Sequence, residues 1–150
     1  MPIPAYHTNY IVDASVAAKW FVRHPEKDVE LAIALRSWHS KGRCRLVLPE
    51  FGILEILNAI CNSPLGREQD GAKAIETLKG LNIQVEPLTW HCFRKANAIA
   101  WAYKVPLYDA SYVALAEVLG YPFLTVDDTL LKKMKGHSIV LDIRELEFPQ

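Results

Sequence analysis

Net charge is what this sequence lacks most plainly: seventeen Lys and Arg stand against seventeen Asp and Glu, a formal balance of zero. No global field draws the chain toward nucleic acid or an anionic membrane, so any such contact must come from a local patch. Cysteine is scarce as well. Cys44, Cys61 and Cys92 are odd in number and widely spaced, with no CxxC pair, which fits small core residues in a reducing compartment better than a disulfide framework or a zinc site. The five histidines (His7, His24, His39, His91, His137) show no HExxH-like spacing, which argues against an imidazole-based metal site. A long apolar run is also missing. The stretch MPIPAYHTNYIVDASVAAKWFV has no basic leader and is interrupted by Asp13 and Lys19, so it reads as neither secretory signal nor membrane span. A soluble, cytoplasmic protein without membrane contact is expected, and no internal repeat or low-complexity segment is visible.

What is present is enough apolar mass for one good core. At 150 residues and 51% hydrophobic, the chain is expected to form a single domain over residues 1–150. Short, almost wholly apolar runs at 10–12, 45–48, 83–86, 123–126 and 138–141 read as strands. Between them lie helical patterns: from Asp13 through Phe21, Glu26 to Lys41 before Gly42, about Glu50 to Cys61, Glu68 to Leu81, a helix capped by Thr89 and ended before Pro106, one from Asp109 to Gly120, and a short basic one through LLKKMK. Apolar strands alternating with helices predict an α/β fold, a three-layer sandwich with a central, mostly parallel sheet flanked by helices. In such sheets, sites gather outside the carboxyl ends of the strands, near a switch in strand order.

Four carboxylates sit where burial is expected. Asp13 directly follows the strand IleVal, Glu55 lies inside FGILEILNAI, Asp109 opens an apolar helix, and Asp127 follows PheLeuThrVal. Helix capping is the plain explanation for Asp13 and Asp109, since an Asp at a helix start accepts unpaired backbone N–H groups. Of the pair at 127 and 128, Asp127 is the better aimed at a site and Asp128 the better cap. Glu55 is harder to explain that way. Its helix is apolar around nearly the whole circumference, so it is expected to be mostly enclosed, and a carboxylate there needs a partner; Asn58, three residues on, is a candidate to orient it. If the four converge they repel, by about 4 kcal/mol for a pair at ~4 Å and an effective dielectric of ~20. An all-oxygen cluster without His or Cys suits Mg²⁺ or Mn²⁺, and such ions can activate water for phosphodiester hydrolysis.

In order and context, VDAS with Asp13, LEILNAI with Glu55 and Asn58, YDASYVALAEVLG with Asp109, and LTVDDTL with Asp127 resemble the PIN-domain ribonucleases, especially VapC-type toxins of toxin–antitoxin pairs, over about residues 9–142. The resemblance implies a metal-dependent ribonuclease in which Asp13, Glu55, Asp109 and Asp127 hold Mg²⁺ or Mn²⁺ and carry catalysis. It gives Ser15, Asn58 and Thr125 supporting or substrate contacts. It also implies an RNA substrate, an antitoxin partner and a homodimer. Val16, Trp20, Phe21 and Trp38 are candidates for meeting a partner, with core packing as their alternative. Lys19, Arg23, Arg43, Arg45, Lys104 and the basic stretch 132–135 are candidates for gripping RNA phosphates. Two other readings compete: a PIN-like module that binds RNA or a partner without cutting, and a receiver-type domain, which would want an Asp on the middle strand where IleGlnValGlu offers none.

Overall fold

The computed structural model describes residues 3–4, 9–21 and 27–148; His7, Arg23, His24 and Glu26 lie outside them. A short strand β1 (Ile3–Pro4) pairs in parallel with β7 (Leu146–Glu147). The main sheet holds β2 (Asn9–Val12), β3 (Arg45–Pro49), β4 (Gln84–Glu86), β5 (Phe123–Thr125) and β6 (Val140–Asp142), in the order β4-β3-β2-β5-β6, and every pairing is parallel. Helices α1 (Ala14–Ala17), α2 (Val29–Ser40), α3 (Glu50–Cys61), α4 (Glu68–Gly80), α5 (Trp90–Tyr103), α6 (Leu107–Leu119) and α7 (Asp128–Lys133) flank it, giving the three-layer α/β sandwich expected from the alternation.

The unbroken apolar character of the middle strands follows from burial on both faces. Tyr10, Ile11 and Val12 of β2, Leu46, Val47 and Leu48 of β3, and Phe123 and Leu124 of β5 are all buried, whereas the edge strand β4 exposes Val85. Chain order sets the location of the crevice. From β2 the chain steps outward through β3 to β4, then returns to the other side of β2 for β5 and β6. The strand order therefore reverses at β2, and the crevice opens at the carboxyl ends of β2 and its neighbours.

Several local expectations are corrected. The helix expected from Asp13 through Phe21 is four residues of α1 followed by a 3₁₀ turn, Ala18–Trp20. The tighter turn carries Trp20 into the core, where its indole Nε1 donates to the Ala32 carbonyl at 2.7 Å. Asp109 does not open its helix: α6 starts at Leu107 with Pro106 at the N-cap, and Asp109 stands in the first turn. Asp127, not Asp128, caps α7, accepting from the Leu130 amide at 3.1 Å, because its extended backbone is the one that turns into the helix. Helix α3 is not enclosed all round. Gly52, Ile56 and Ile60 are buried, but Leu54 is 68% exposed. Among the described residues, no helix is long and apolar enough to cross a membrane.

Candidate active site

Asp13 and Thr125 meet at the strand-order reversal. Asp13 follows β2, its backbone N–H donating to the Leu124 carbonyl of β5 at 2.9 Å, so the next residue of β5, Thr125, lies alongside. The Thr125 hydroxyl donates to Asp13 Oδ2 at 2.7 Å and accepts from the Asp127 amide at 3.1 Å. A single fully buried hydroxyl thus joins two of the acids. Asp13 Oδ1 accepts from the Ser15 amide at 3.2 Å, which makes it the N-cap of α1. On the β3 side, Glu55 projects from α3, and its Oε1 accepts from the Tyr112 hydroxyl at 2.6 Å. Tyr112 lies on α6 three residues after Asp109, so one helix supplies both an acid and the partner of another.

The electrostatics show that the four acids share one neighbourhood. Burial, and then the charges of Asp13, Asp127 and Glu55, push Asp109 up to about 6, with Lys133 acting the other way. Asp13 is raised by burial and by Asp127, against the hydrogen bonds of Thr125 and Ser15. Glu55 is raised by burial and by Asp13, against the Tyr112 hydrogen bond. Negative charge therefore accumulates here beyond what neighbouring side chains neutralise. Among the described residues no group of three or more His, Cys, Asp or Glu is placed to hold a metal ion. A hard divalent cation that keeps several waters asks for less, one or two carboxylates in an open, anionic, all-oxygen site, and this donor set fits it.

Other candidates from the sequence fall into place around this centre. Ser15 and Asn58 are exposed; the carboxylate of Glu55 is held by Tyr112 rather than by Asn58. Asp128 has a side chain 77% exposed that pairs with Arg144 Nη2 at 2.6 Å, and that guanidinium holds its carboxyl below the usual range. Lys133 faces Asp109 and donates to the Lys104 carbonyl at 2.8 Å. Arg45 begins β3 and Arg43 precedes it, so both sit at the sheet edge opposite the acids. Val16, Trp20 and Trp38 are buried and belong to the core rather than to a partner surface, with Phe21 packed against it.

Two features were missed in the sequence. Tyr112 gave a faint signal, a hydroxyl one turn beyond Asp109 in an otherwise apolar helix. The other is an exposed apolar face: Trp90, Phe93 and Trp101 share one side of α5 by helical spacing, Phe93 lines a cavity with Leu54, Leu107 and Tyr108, and all six are exposed. The buried side of α5 is made by Cys92, Ala96 and Ile99.

Residues 10–136 match the family model of the PIN domain. No curated protein matches the chain in sequence. Among solved structures, the fold is similar to a toxin-antitoxin complex from Klebsiella pneumoniae, with TM-score 0.68 and 14% identity over 91% of this chain and 99% of that one. It is similar to VapBC2 from Rickettsia felis, bound to a DNA fragment from their promoter, with TM-score 0.64 and 11% identity over 90% and 98%. PAE2754 from Pyrobaculum aerophilum is similar at TM-score 0.62 and 26% identity over 91% and 85%.

Proposed function

Since the chain belongs to the PIN-domain family, we propose that it is a VapC-type toxin acting in the cytoplasm: a Mg²⁺- or Mn²⁺-dependent endoribonuclease, one nuclease domain over residues 1–150, restrained by an antitoxin protein. The observation that carries this reading is the convergence of Asp13, Glu55, Asp109 and Asp127, drawn from four separate segments, on the crevice where strand order reverses, with their charges opposing one another. These four would hold the ion or ions. A bound divalent cation supplies positive charge against the scissile phosphate and a water of lowered pKa. Thr125, fully buried, reaches no substrate and instead fixes Asp13 and the Asp127 backbone. Ser15 and Asn58, exposed at the rim, are assigned to contact with RNA.

Phosphate contact is assigned to Lys133, whose charge acts on Asp109, and to Lys19, Lys104, Lys132 and Lys135, since the net charge offers no general attraction. Single-stranded or loop RNA is the substrate class, because its phosphodiesters can enter an open crevice. The solved neighbours described as toxin-antitoxin complexes support the antitoxin reading.

A second copy of this chain is assigned to the apolar face. Trp90 is 78% exposed, Trp101 80%, Tyr108 63% and Leu107 56%. Together with Phe93 and Leu54 they present roughly 800 Å², which is what a standard interface takes from each partner. Phe93, Leu54, Leu107 and Tyr108 of this set also line, with Phe51 and Asn97, a cavity of about 620 Å³. Knob and hole on one face are what a two-fold, self-complementary contact requires.

The test is cleavage of a panel of RNAs in Mg²⁺ or Mn²⁺ by the wild type and by Asp109→Asn. Cleavage lost in the variant is expected. Undiminished cleavage rejects the assigned site, and RNA binding without cleavage by the wild type replaces the nuclease with a binding module.

A further inference from the structure

Tyr112 lies in the middle of the acid cluster but carries no charge, and its surroundings are unusually specific. Its ring is fully buried, stacked on Phe123 at 5.1 Å and meeting Phe51 edge-on at 5.0 Å. Its hydroxyl accepts from the Ala14 amide at 3.2 Å and donates to Glu55 Oε1 at 2.6 Å. Ala14 follows Asp13, so one phenol oxygen ties the acid of α3 to the backbone beside the acid of β2. A phenol has one proton, and with an N–H directed at its lone pair that proton is committed to Glu55. Gly52 supplies an independent observation. A Cβ at that position would come within 3.0 Å of the Tyr112 hydroxyl oxygen, so the hydroxyl occupies the space that a side chain at 52 would claim. Glycine inside a helix costs about 1 kcal/mol relative to alanine, and admitting this hydroxyl is a physical reason for it in α3.

We infer that Tyr112 is a positioning residue for Glu55: braced by the Ala14 amide and admitted by Gly52, its hydroxyl fixes Oε1 and leaves Oε2 as the oxygen offered to a divalent ion. This rests on the metal-dependent reading above. A half-exposed glutamate has three side-chain torsions to order, and a donor fixed by a buried ring orders them before an ion arrives. Outer hydrogen bonds to metal-ligating groups typically change metal affinity 10- to 100-fold.

The experiment is Mn²⁺ binding without RNA, measured by electron paramagnetic resonance and calorimetry, on the wild type, Tyr112→Phe, Gly52→Ala, Glu55→Gln and the Tyr112→Phe/Glu55→Gln double variant. Melting curves establish that each is folded. Tyr112→Phe keeps the ring and its stacking, and is expected to weaken Mn²⁺ binding about tenfold or more and to alter the bound Mn²⁺ spectrum. Gly52→Ala, which crowds the hydroxyl without removing it, is expected to act in the same direction. In the Glu55→Gln background, Tyr112→Phe is expected to add no further loss, because its effect passes through that carboxylate. Wild-type affinity in folded Tyr112→Phe, or an equal loss in both backgrounds, overturns the inference and leaves the metal site standing. A wild type that binds no Mn²⁺ overturns the metal reading and the inference with it.

Discussion

Replacing Asp109 by Asn should stabilise the protein at alkaline pH. Asp109 is pushed from 3.8 to about 6, by burial first and then by Asp13, Asp127 and Glu55. A carboxyl so placed loses about 3 kcal/mol when ionised in the fold rather than in the open chain. Two effects reduce that figure: the group is partly exposed, so solvent screens it, and its place in the first turn of α6 favours a negative charge by about 0.3–1 kcal/mol. About 1–2 kcal/mol remains. The sign follows from proton binding. Between pH 4 and 6 the folded state holds a proton that the unfolded chain has released, so stability contributed by this group is complete below about 4 and is lost as pH rises through about 6. Asparagine carries no such loss. In urea titrations read by tryptophan fluorescence with EDTA present, Asp109→Asn should therefore exceed the wild type by about 1–2 kcal/mol at pH 8, and the two should converge near pH 4. Adding Mn²⁺ at pH 8 should favour the wild type, which regains a ligand charge that the variant lacks. A variant no more stable than the wild type at pH 8 in EDTA would refute the claim that the acids crowd one another in the fold.

Other perturbations separate the remaining roles. Thr125→Val leaves Asp13 Oδ2 and the Asp127 amide without their buried partner and should cost about 1–3 kcal/mol in denaturant titrations; an unchanged midpoint would count against the bridge. Asp128→Asn breaks the exposed pair with Arg144, which solvent screens, and should leave stability nearly unchanged with RNA cleavage kept, whereas Asp127→Asn should lower cleavage; the reverse ranking would exchange their roles. Trp101→Glu, at a position 80% exposed, should convert a dimer to a monomer in sedimentation equilibrium without lowering the monomer's melting temperature. EDTA should abolish RNA cleavage, and Mg²⁺ or Mn²⁺ should restore it.

The layers and the sheet edge carrying the acids were legible in the sequence because strands buried on both faces must be almost wholly apolar, and 10–12, 46–48 and 123–126 are, with Thr125 the exception. Pairing order was not legible, since nothing local in β5 states that it lies beside β2; that is fixed by helices packing on both faces. The exposed face of α5 was hidden for a related reason. Its helix is apolar on two sides, and periodicity alone does not say which side the core takes. Cys92, Ala96 and Ile99 are small enough for the close approach of α6, so the larger Trp90, Phe93 and Trp101 are left outside.

Capping and chemistry, which the sequence presents as rival explanations of its acids, are one device in the fold. At Asp13 the cap engages Oδ1 with the Ser15 amide, and Thr125 takes Oδ2; at Asp127 the cap engages Oδ1 with the Leu130 amide. Each cap fixes the rotation of a carboxylate that repulsion from its neighbours would otherwise turn toward solvent. Asp109 is the contrast, since its helix is started by Pro106 and no cap bond restrains it. Its carboxyl, pushed up to about 6, is raised by burial and by the charges of Asp13, Asp127 and Glu55, with Lys133 opposing them. A divalent ion bound among these acids should therefore lower the protonation of Asp109. A carbonyl-resolved NMR titration with Mg²⁺ tests this directly, and an Asp109 titration unmoved by saturating Mg²⁺ would separate that carboxylate from the ion site.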